Sequence, residues 1–241
     1  MELFDASEAR KNVENVLDQD TMEALYDLAG DGHFDVIGGF VKDGKESKVA
    51  VADKGEELRA VKLYVVEASN YRDMEQYLVG DPRFEGIATD RRSVIFNWAK
   101  KEFRNLEKAR HLGIPAPEPV AVEKNVLVME FIGQEYRPAP KLQEVDLENP
   151  EVALDRLPSY MQTLWQDAEM VHGDLSAFNV LLWEEQLRPI DFSQAVLKAH
   201  PRADELLRRD VENIADHFRR QYSMAVEEAE ILDTITGGEA L

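Results

Sequence analysis

The sequence predicts an α+β fold in two lobes: a β-rich N-lobe carrying one long helix, and a mainly helical, trimmed C-lobe. Three observations predict it. Apolar runs at strand spacing, broken by tight charged turns, fill Phe34 to Val66. A long stripe at helical spacing runs from about Asp90 to Leu112. Beyond the proline-rich Arg137-Pro138-Ala139-Pro140 the pattern becomes mostly helical.

The elements follow in order. Ser7 to Ala29 has helical spacing (Val13, Val16, Leu17, Leu25, Leu28) with a break near Asp20-Thr21 and a stop at Gly30-Asp31-Gly32, which predicts two short helices. Phe34 to Val41, Val49 to Ala52 and Leu58 to Val66 read as a three-stranded meander, turned at Lys42-Asp43-Gly44-Lys45 and Asp53-Lys54-Gly55. Ala68 to Thr89 is polar, weakly periodic and holds Gly80-Asp81-Pro82, so a mobile excursion is expected there. The long helix is closed by Gly113 and Pro115, and strands follow near Glu118 to Val122 and Asn125 to Phe131. After the linker, Val152 to Met170 reads as helix with Pro158 opening its second part. Val180 to Trp183 and Arg188 to Ile190 read as strands, Arg202 to Tyr222 and Ala225 to Ile235 as helices. The expected domains are a helical extension over 1–32, an N-lobe over 33–136, a C-lobe over 137–236 and a tail over 237–241.

Composition narrows the function. Lys plus Arg is 28 and Asp plus Glu is 48, a formal charge of −20. That argues against a protein held on nucleic acid by phosphate neutralisation: no DNA partner is expected, and any RNA contact would be local. With no Cys among 241 residues, disulfides, thiolate zinc sites and cysteine nucleophiles are excluded. No stretch approaches the roughly 18 apolar residues of a membrane span, and Met1-Glu2-Leu3-Phe4-Asp5 lacks the features of a secretion signal. A cytoplasmic chain without membrane contact is expected. Two basic clusters, Lys100, Lys101, Arg104, Lys108 and Arg110, and Arg208, Arg209, Arg219 and Arg220, read first as solvated helix faces, with a local RNA or ribosome patch as the alternative.

The chemistry concentrates in His172-Gly173-Asp174-Leu175-Ser176-Ala177-Phe178-Asn179, followed by Ile190-Asp191-Phe192-Ser193. This resembles the H-x-D-x-x-x-x-N loop and metal-binding D-F-x step of protein kinases. The spacing lets Asp174 reach an attacking hydroxyl while Asn179 and Asp191 share a magnesium ion. Ala60-Val61-Lys62-Leu63-Tyr64 is an apolar strand with one lysine, similar to the V-A-I-K strand whose ammonium meets the phosphates of ATP; a plain exposed lysine is the alternative. Glu102 falls inside the apolar stripe of the long helix (Ile95, Trp98, Leu106, Ala109), where a carboxylate needs a cation. Lys62 is the natural partner, with Lys101 or Arg104 at the helix edge as the alternative. Gly44, Lys45 and Ser47 lie in a turn able to place N–H groups over phosphates, or simply in a charged hairpin. Val128 to Gly133 is either a plain core strand or one where adenine meets backbone near Glu130 and Ile132.

Together, Gly44-Lys45-Glu46-Ser47, Glu102-Phe103-Arg104-Asn105-Leu106, Gly113-Ile114-Pro115-Ala116-Pro117-Glu118-Pro119, His172 to Ser176 and Ile190 to Gln194 resemble the atypical serine/threonine kinases of the RIO family, nearest its type 1 branch, over about Phe34 to Tyr222. The resemblance implies a bilobal protein-kinase-like fold that binds Mg-ATP, autophosphorylates and acts in maturation of the small ribosomal subunit, whose precursor would be the partner. It implies that Lys62 binds ATP, Asp174 is the catalytic base, Asn179 and Asp191 bind Mg2+, and Asp191 is a position for a phosphoaspartate in an ATPase cycle. Only about ten residues separate Asp191 from the helix near Arg202, too few for the peptide-presenting segment of ordinary kinases. Gly173 replaces the Arg of H-R-D, so loop phosphorylation has no receiver. A non-enzymatic, ATP-gated assembly factor and a small-molecule kinase of the aminoglycoside phosphotransferase type are the competing readings.

Overall fold

A computed structural model describes residues 3–4, 17–66, 71–86, 88 and 90–239. They divide into two compact units: residues 1–79, 84–104 and 117–138 in the first, residues 80–83, 105–116 and 139–241 in the second.

The first unit is built on a five-stranded antiparallel sheet. Its strands are β1 (Val36–Asp43), β2 (Ser47–Lys54), β3 (Glu57–Tyr64), β4 (Pro119–Glu123) and β5 (Val126–Glu130), in spatial order β1-β2-β3-β5-β4. Helix α1 (Gln19–Gly30) covers one face, burying Leu25 and Leu28 against Phe34, Ile37, Ala52, Val61, Leu63 and Val128. The helix begins at Gln19, just ahead of the expected break at Asp20-Thr21. Asp18 accepts the Thr21 N–H, so the polar Asp18 to Thr21 stretch is a helix start rather than an interruption; the earlier part of that expectation lies outside the described residues.

The polar stretch after β3 is also more ordered than its composition suggests. It carries helix α2 (Tyr71–Leu78), with Met74, Tyr77 and Leu78 buried and Tyr77 edge-on to Trp98 at 5.7 Å, and a 3-10 turn at Pro82–Phe84. Three anchors at i, i+3 and i+4 suffice to seat a two-turn helix, although so short a stripe is faint in sequence. Helix α3 (Arg91–His111) follows, and then β4, β5 and a small ladder of β6 (Gly133–Gln134) with β7 (Arg137–Pro138).

In the second unit, a 3-10 turn at Leu142–Glu144 leads to α4 (Pro150–Gln166), β8 (Met170–Val171), β9 (Val180–Trp183), β10 (Gln186–Pro189), a 3-10 turn at Phe192–Gln194, β11 (Val196–Leu197), α5 (Ala203–Tyr222) and α6 (Glu228–Thr236). Helix α4 runs without interruption through Pro158, which is buried inside it rather than opening a second segment. Proline removes one helical N–H there, while burial of Leu157, Pro158 and Met161 holds the turn.

Candidate active site

The first unit supplies a buried ion pair. Lys62 leaves β3 and Glu102 leaves α3; Nζ and Oε1 are 2.9 Å apart, with side chains 3% and 1% exposed. The Tyr64 hydroxyl donates to the other oxygen, Oε2. The register puts Lys62 opposite Val49 on β2 and Leu127 on β5, so its ammonium is carried by a central strand with partners on both sides. Of the two pairings the helix stripe allows, the one with Lys62 forms.

The turn between β1 and β2 is closed by the Gly44 N–H donating to Ser47 O at 3.1 Å. A Cβ on Gly44 would lie 2.9 Å from that same oxygen, so glycine is required by close approach. Lys45 is exposed and Ser47 buried. At the far end of the sheet, the Glu130 N–H donates to Glu118 O at 2.8 Å, while Ile132 is buried just past the strand.

The second unit assembles the acidic half. The hairpin β9–β10 pairs Val180 with Pro189, and the Ile190 N–H donates to Asn179 O at 2.9 Å, so Asn179 and the residue before Asp191 are bonded neighbours. Asn179 Nδ2 donates to both the main-chain oxygen and Oδ2 of Asp174, each at 2.9 Å. Asn179 thus bonds Asp174 through its side-chain amide and the residue before Asp191 through its main-chain oxygen. Asp191 adopts a left-handed backbone (φ 65°, ψ 67°) and accepts from Ser193 Oγ at 2.7 Å. His172 sits behind, its Nε2 3.1 Å from Ile190 O and its ring 4.5 Å from that of Phe192.

The loop around Asp174 is held by its main chain. Asp210 on α5 accepts the Gly173 N–H at 2.7 Å and the Leu175 N–H at 2.8 Å; Arg209 donates to Gly173 O and Asn213 to Leu175 O at 3.1 Å. Gly173 has φ +78°, and a Cβ there would meet Gln194 O at 2.9 Å. Burial pushes the Asp210 carboxyl up to about 8, against the downward pull of its two N–H donors and Arg209.

Reading the basic clusters as solvated faces fails at two positions. Lys101 is fully buried, 4.9 Å above the Trp98 ring, and Arg209 is spent on the catalytic-type loop. Arg219 and Arg220 do lie on partly exposed surface, paired with Glu228 and Asp216. Asp210 is the residue that sequence reasoning passed over. Its signal was there: it falls in the apolar stripe Leu206, Leu207, Val211 and Ile214, as Glu102 does in its own helix.

A RIO domain profile matches residues 48–231. The chain belongs to the RIO family. A RIO-type serine/threonine-protein kinase Rio1 from Haloferax volcanii is 43% identical over 240 residues, covering 99% of this chain and 82% of the relative. The Rio1 of Methanocaldococcus jannaschii is 40% identical over 88% of this chain and 72% of the relative. Human RIO1 is 36% identical over 94% of this chain, which spans 41% of that longer protein. A crystal structure of the Rio2 kinase-ADP/Mg2+-phosphoaspartate complex from Chaetomium thermophilum matches with TM-score 0.68 at 21% identity, over 90% of this chain and 66% of that one; at that identity it establishes the protein-kinase-like fold.

The RIO residues present fit Mg2+. Both Asn179 Nδ2 bonds go to Asp174, so its amide oxygen is the atom left for a cation, and with Asp191 it makes a hard-oxygen pair. Among the described residues there is no cluster of three or more His, Cys, Asp or Glu side chains able to cage a metal. Among the described residues no helix is long and apolar enough to cross a membrane.

Proposed function

We propose that this RIO protein is a Mg-ATP-dependent phosphotransferase that transfers the γ-phosphoryl group to serine, to its own Asp191 or to water, and that works in maturation of the small ribosomal subunit in the cytoplasm. The observation that carries the reading is the double bonding of Asn179, whose side-chain amide donates to Asp174 while its main-chain oxygen accepts from Ile190, the residue before Asp191.

In this reading Lys62, oriented by Glu102 and Tyr64, offers its ammonium to the α- and β-phosphates. The Gly44 to Ser47 turn, with Lys45, adds donors to the phosphates. The base of the nucleotide meets backbone at Ile132, since the Glu130 N–H is occupied within the sheet. Asn179 and Asp191 would hold Mg2+, which when bound neutralises charge building on the phosphates. Asp174 accepts the proton of the attacking hydroxyl or water.

The segment after Asp191 bears on the acceptor. A 3-10 turn takes up Phe192–Gln194, and β11 directly after it is consumed by pairing Val196 with Val171 and Leu197 with Met170. Positioning an acceptor is worth roughly 7–11 kcal/mol at best, and a segment committed to a ladder offers no platform for a free protein. Water, Asp191 or a serine of this chain needs none. ATP hydrolysis and self-phosphorylation are therefore expected to outrun transfer to free proteins, with a pre-ribosomal particle accelerating the cycle. Incubating the protein with γ-labelled ATP, alone, with small-subunit precursors and with generic acceptors, tests this. Fast multiple-turnover labelling of generic acceptors, indifferent to the particle, would overturn it; no label and no hydrolysis under any condition would leave only an ATP-gated assembly factor.

A further inference from the structure

Asn105 has no role in the chemistry above, yet it is fully buried, and its side-chain amide nitrogen is spent on the turn that follows Asp191. Its Nδ2 donates to the main-chain oxygens of Phe192 and Ala195 at 2.9 and 3.0 Å, and its Oδ1 accepts from Arg83 Nη1 at 2.8 Å. Two carbonyls face the amide nitrogen and a guanidinium faces the amide oxygen. Of the two orientations of an asparagine amide, only this one matches donors to acceptors at all three contacts.

The guanidinium is itself fixed. Arg83 Nε donates to Oδ1 and Oδ2 of the buried Asp81 at 3.0 and 3.2 Å, Nη2 donates to Oδ2 at 2.6 Å, and the Arg83 main-chain N–H reaches Oδ1 at 3.0 Å. One residue earlier, Gly80 (φ +93°) lies where a Cβ would be 2.9 Å from Pro201 Cδ, so residues 80–83 have one seat in the second unit.

What Asn105 grips is the pair of carbonyls bracketing the 3-10 turn Phe192–Gln194, which begins immediately after Asp191. A non-glycine residue at φ 65° persists only where its surroundings over-determine it, and such positions gather at functional sites. The turn's own bond, Ala195 N–H to Phe192 O at 3.2 Å, is long, and the amide nitrogen of Asn105 braces it from outside.

We infer that Asp81, Arg83 and Asn105 form a positioning relay that holds Asp191 in its left-handed conformation, so that the seating of residues 80–83 sets how well Asp191 takes a metal. The inference rests on the reading of Asp191 as a Mg2+ residue. Arg83 is the regulatory handle: its side chain is partly exposed, and displacing it would leave the Asn105 amide oxygen without its cation while the grip on the turn weakens.

The test uses the full chain with Asn105→Leu and Arg83→Met, in three measurements. The first is amide hydrogen exchange at residues 191–195 without nucleotide or metal. The second is binding of the fluorescent nucleotide mant-ATP in chelator. The third is the Mg2+ concentration giving half-maximal ATP turnover at saturating ATP. Removing a group that orients a metal ligand typically costs about 10- to 100-fold in metal affinity or activity. Exchange at Ala195 is expected to speed at least about 10-fold in Asn105→Leu, its Mg2+ half-saturation to rise about 10-fold, and that of Arg83→Met about 3-fold, with mant-ATP affinity in chelator within about 2-fold of wild type. Unchanged exchange and unchanged Mg2+ requirement in both variants would overturn the relay, as would an Arg83→Met variant identical to wild type beside a defective Asn105→Leu. If Asn105→Leu does not fold, Arg83→Met decides alone. Should wild type show no Mg2+-dependent turnover, the phosphotransferase reading fails, while exchange still decides whether the relay braces the turn.

Discussion

Replacing Lys62 by Met keeps the length and apolar stem of the side chain and deletes only its charge. The carboxylate of Glu102 is then left 1% exposed with the Tyr64 hydroxyl still donating to it. Breaking a buried pair by removing one partner costs about 3–5 kcal/mol, because an uncompensated charge remains. The retained Tyr64 hydroxyl places this site at the lower end, about 3 kcal/mol. At roughly 2–4 °C per kcal/mol for a chain of this size, the melting temperature should fall by about 6–12 °C. Glu102→Gln should cost less, about 1–2 kcal/mol, since the amide oxygen still accepts from the ammonium. In the double variant Lys62→Met/Glu102→Gln both charges of the pair are gone, and stability should recover to within about 1 kcal/mol of wild type, a coupling of several kcal/mol. Activity should not recover. ATP turnover should fall at least about 100-fold in both variants lacking Lys62, since the phosphate contact is gone either way. Thermal melts and ATP hydrolysis on the four proteins measure all of this. A double variant whose loss of stability equals the sum of the single losses would refute the pairing, and normal turnover without Lys62 would refute its role.

Asp174→Asn should bind mant-ATP as wild type does and lose phosphoryl transfer by about 100-fold or more, because the proton acceptor is removed while the phosphates are held elsewhere. Near-normal self-labelling would move that role to another residue. Asp210, raised from 3.8 to about 8, binds a proton in the folded chain that the unfolded chain has released between those values. Wild type should therefore lose stability relative to Asp210→Asn as pH climbs through that window, by up to about 1.4 kcal/mol per pH unit; parallel urea midpoints from pH 5 to 8 would refute it. Gly173→Ala, with φ +78° and a Cβ 2.9 Å from Gln194 O, should destabilise by about 1–3 kcal/mol and slow turnover without weakening nucleotide binding in chelator.

The residues that make up the candidate site were legible because each breaks a local pattern. Lys62 interrupts an apolar strand, Glu102 an apolar helix stripe, and Asp174, Asn179 and Asp191 stand at fixed offsets between short hydrophobic runs. What holds them was less visible. Asp210 interrupts its stripe as plainly as Glu102 does, but it lies beside Arg208 and Arg209, and a basic run draws the eye to the surface. Arg209 and Asn213 act on carbonyl oxygens, which carry no sequence signature. Asn105 stands within a motif that marks the family, yet its function depends on Phe192 and Ala195, 87 and 90 positions away. The helix Tyr71–Leu78 was hidden because it rests on few anchors, and the continuity of Pro150–Gln166 through Pro158 because burial outweighed one missing hydrogen bond.

The loop bearing Asp174 is gripped by α5 entirely through the peptide groups of its neighbours, Gly173 and Leu175. A scaffold of that kind holds the main chain whatever side chain stands at 174, and Asp174→Asn also keeps an oxygen able to accept from Asn179 Nδ2. That one substitution should therefore be read out as a change of chemistry rather than of loop shape. The same property makes the position a practical handle: an inert variant that keeps its shape can serve as bait, arresting the protein on whatever acceptor or particle it engages long enough for that companion to be isolated and identified.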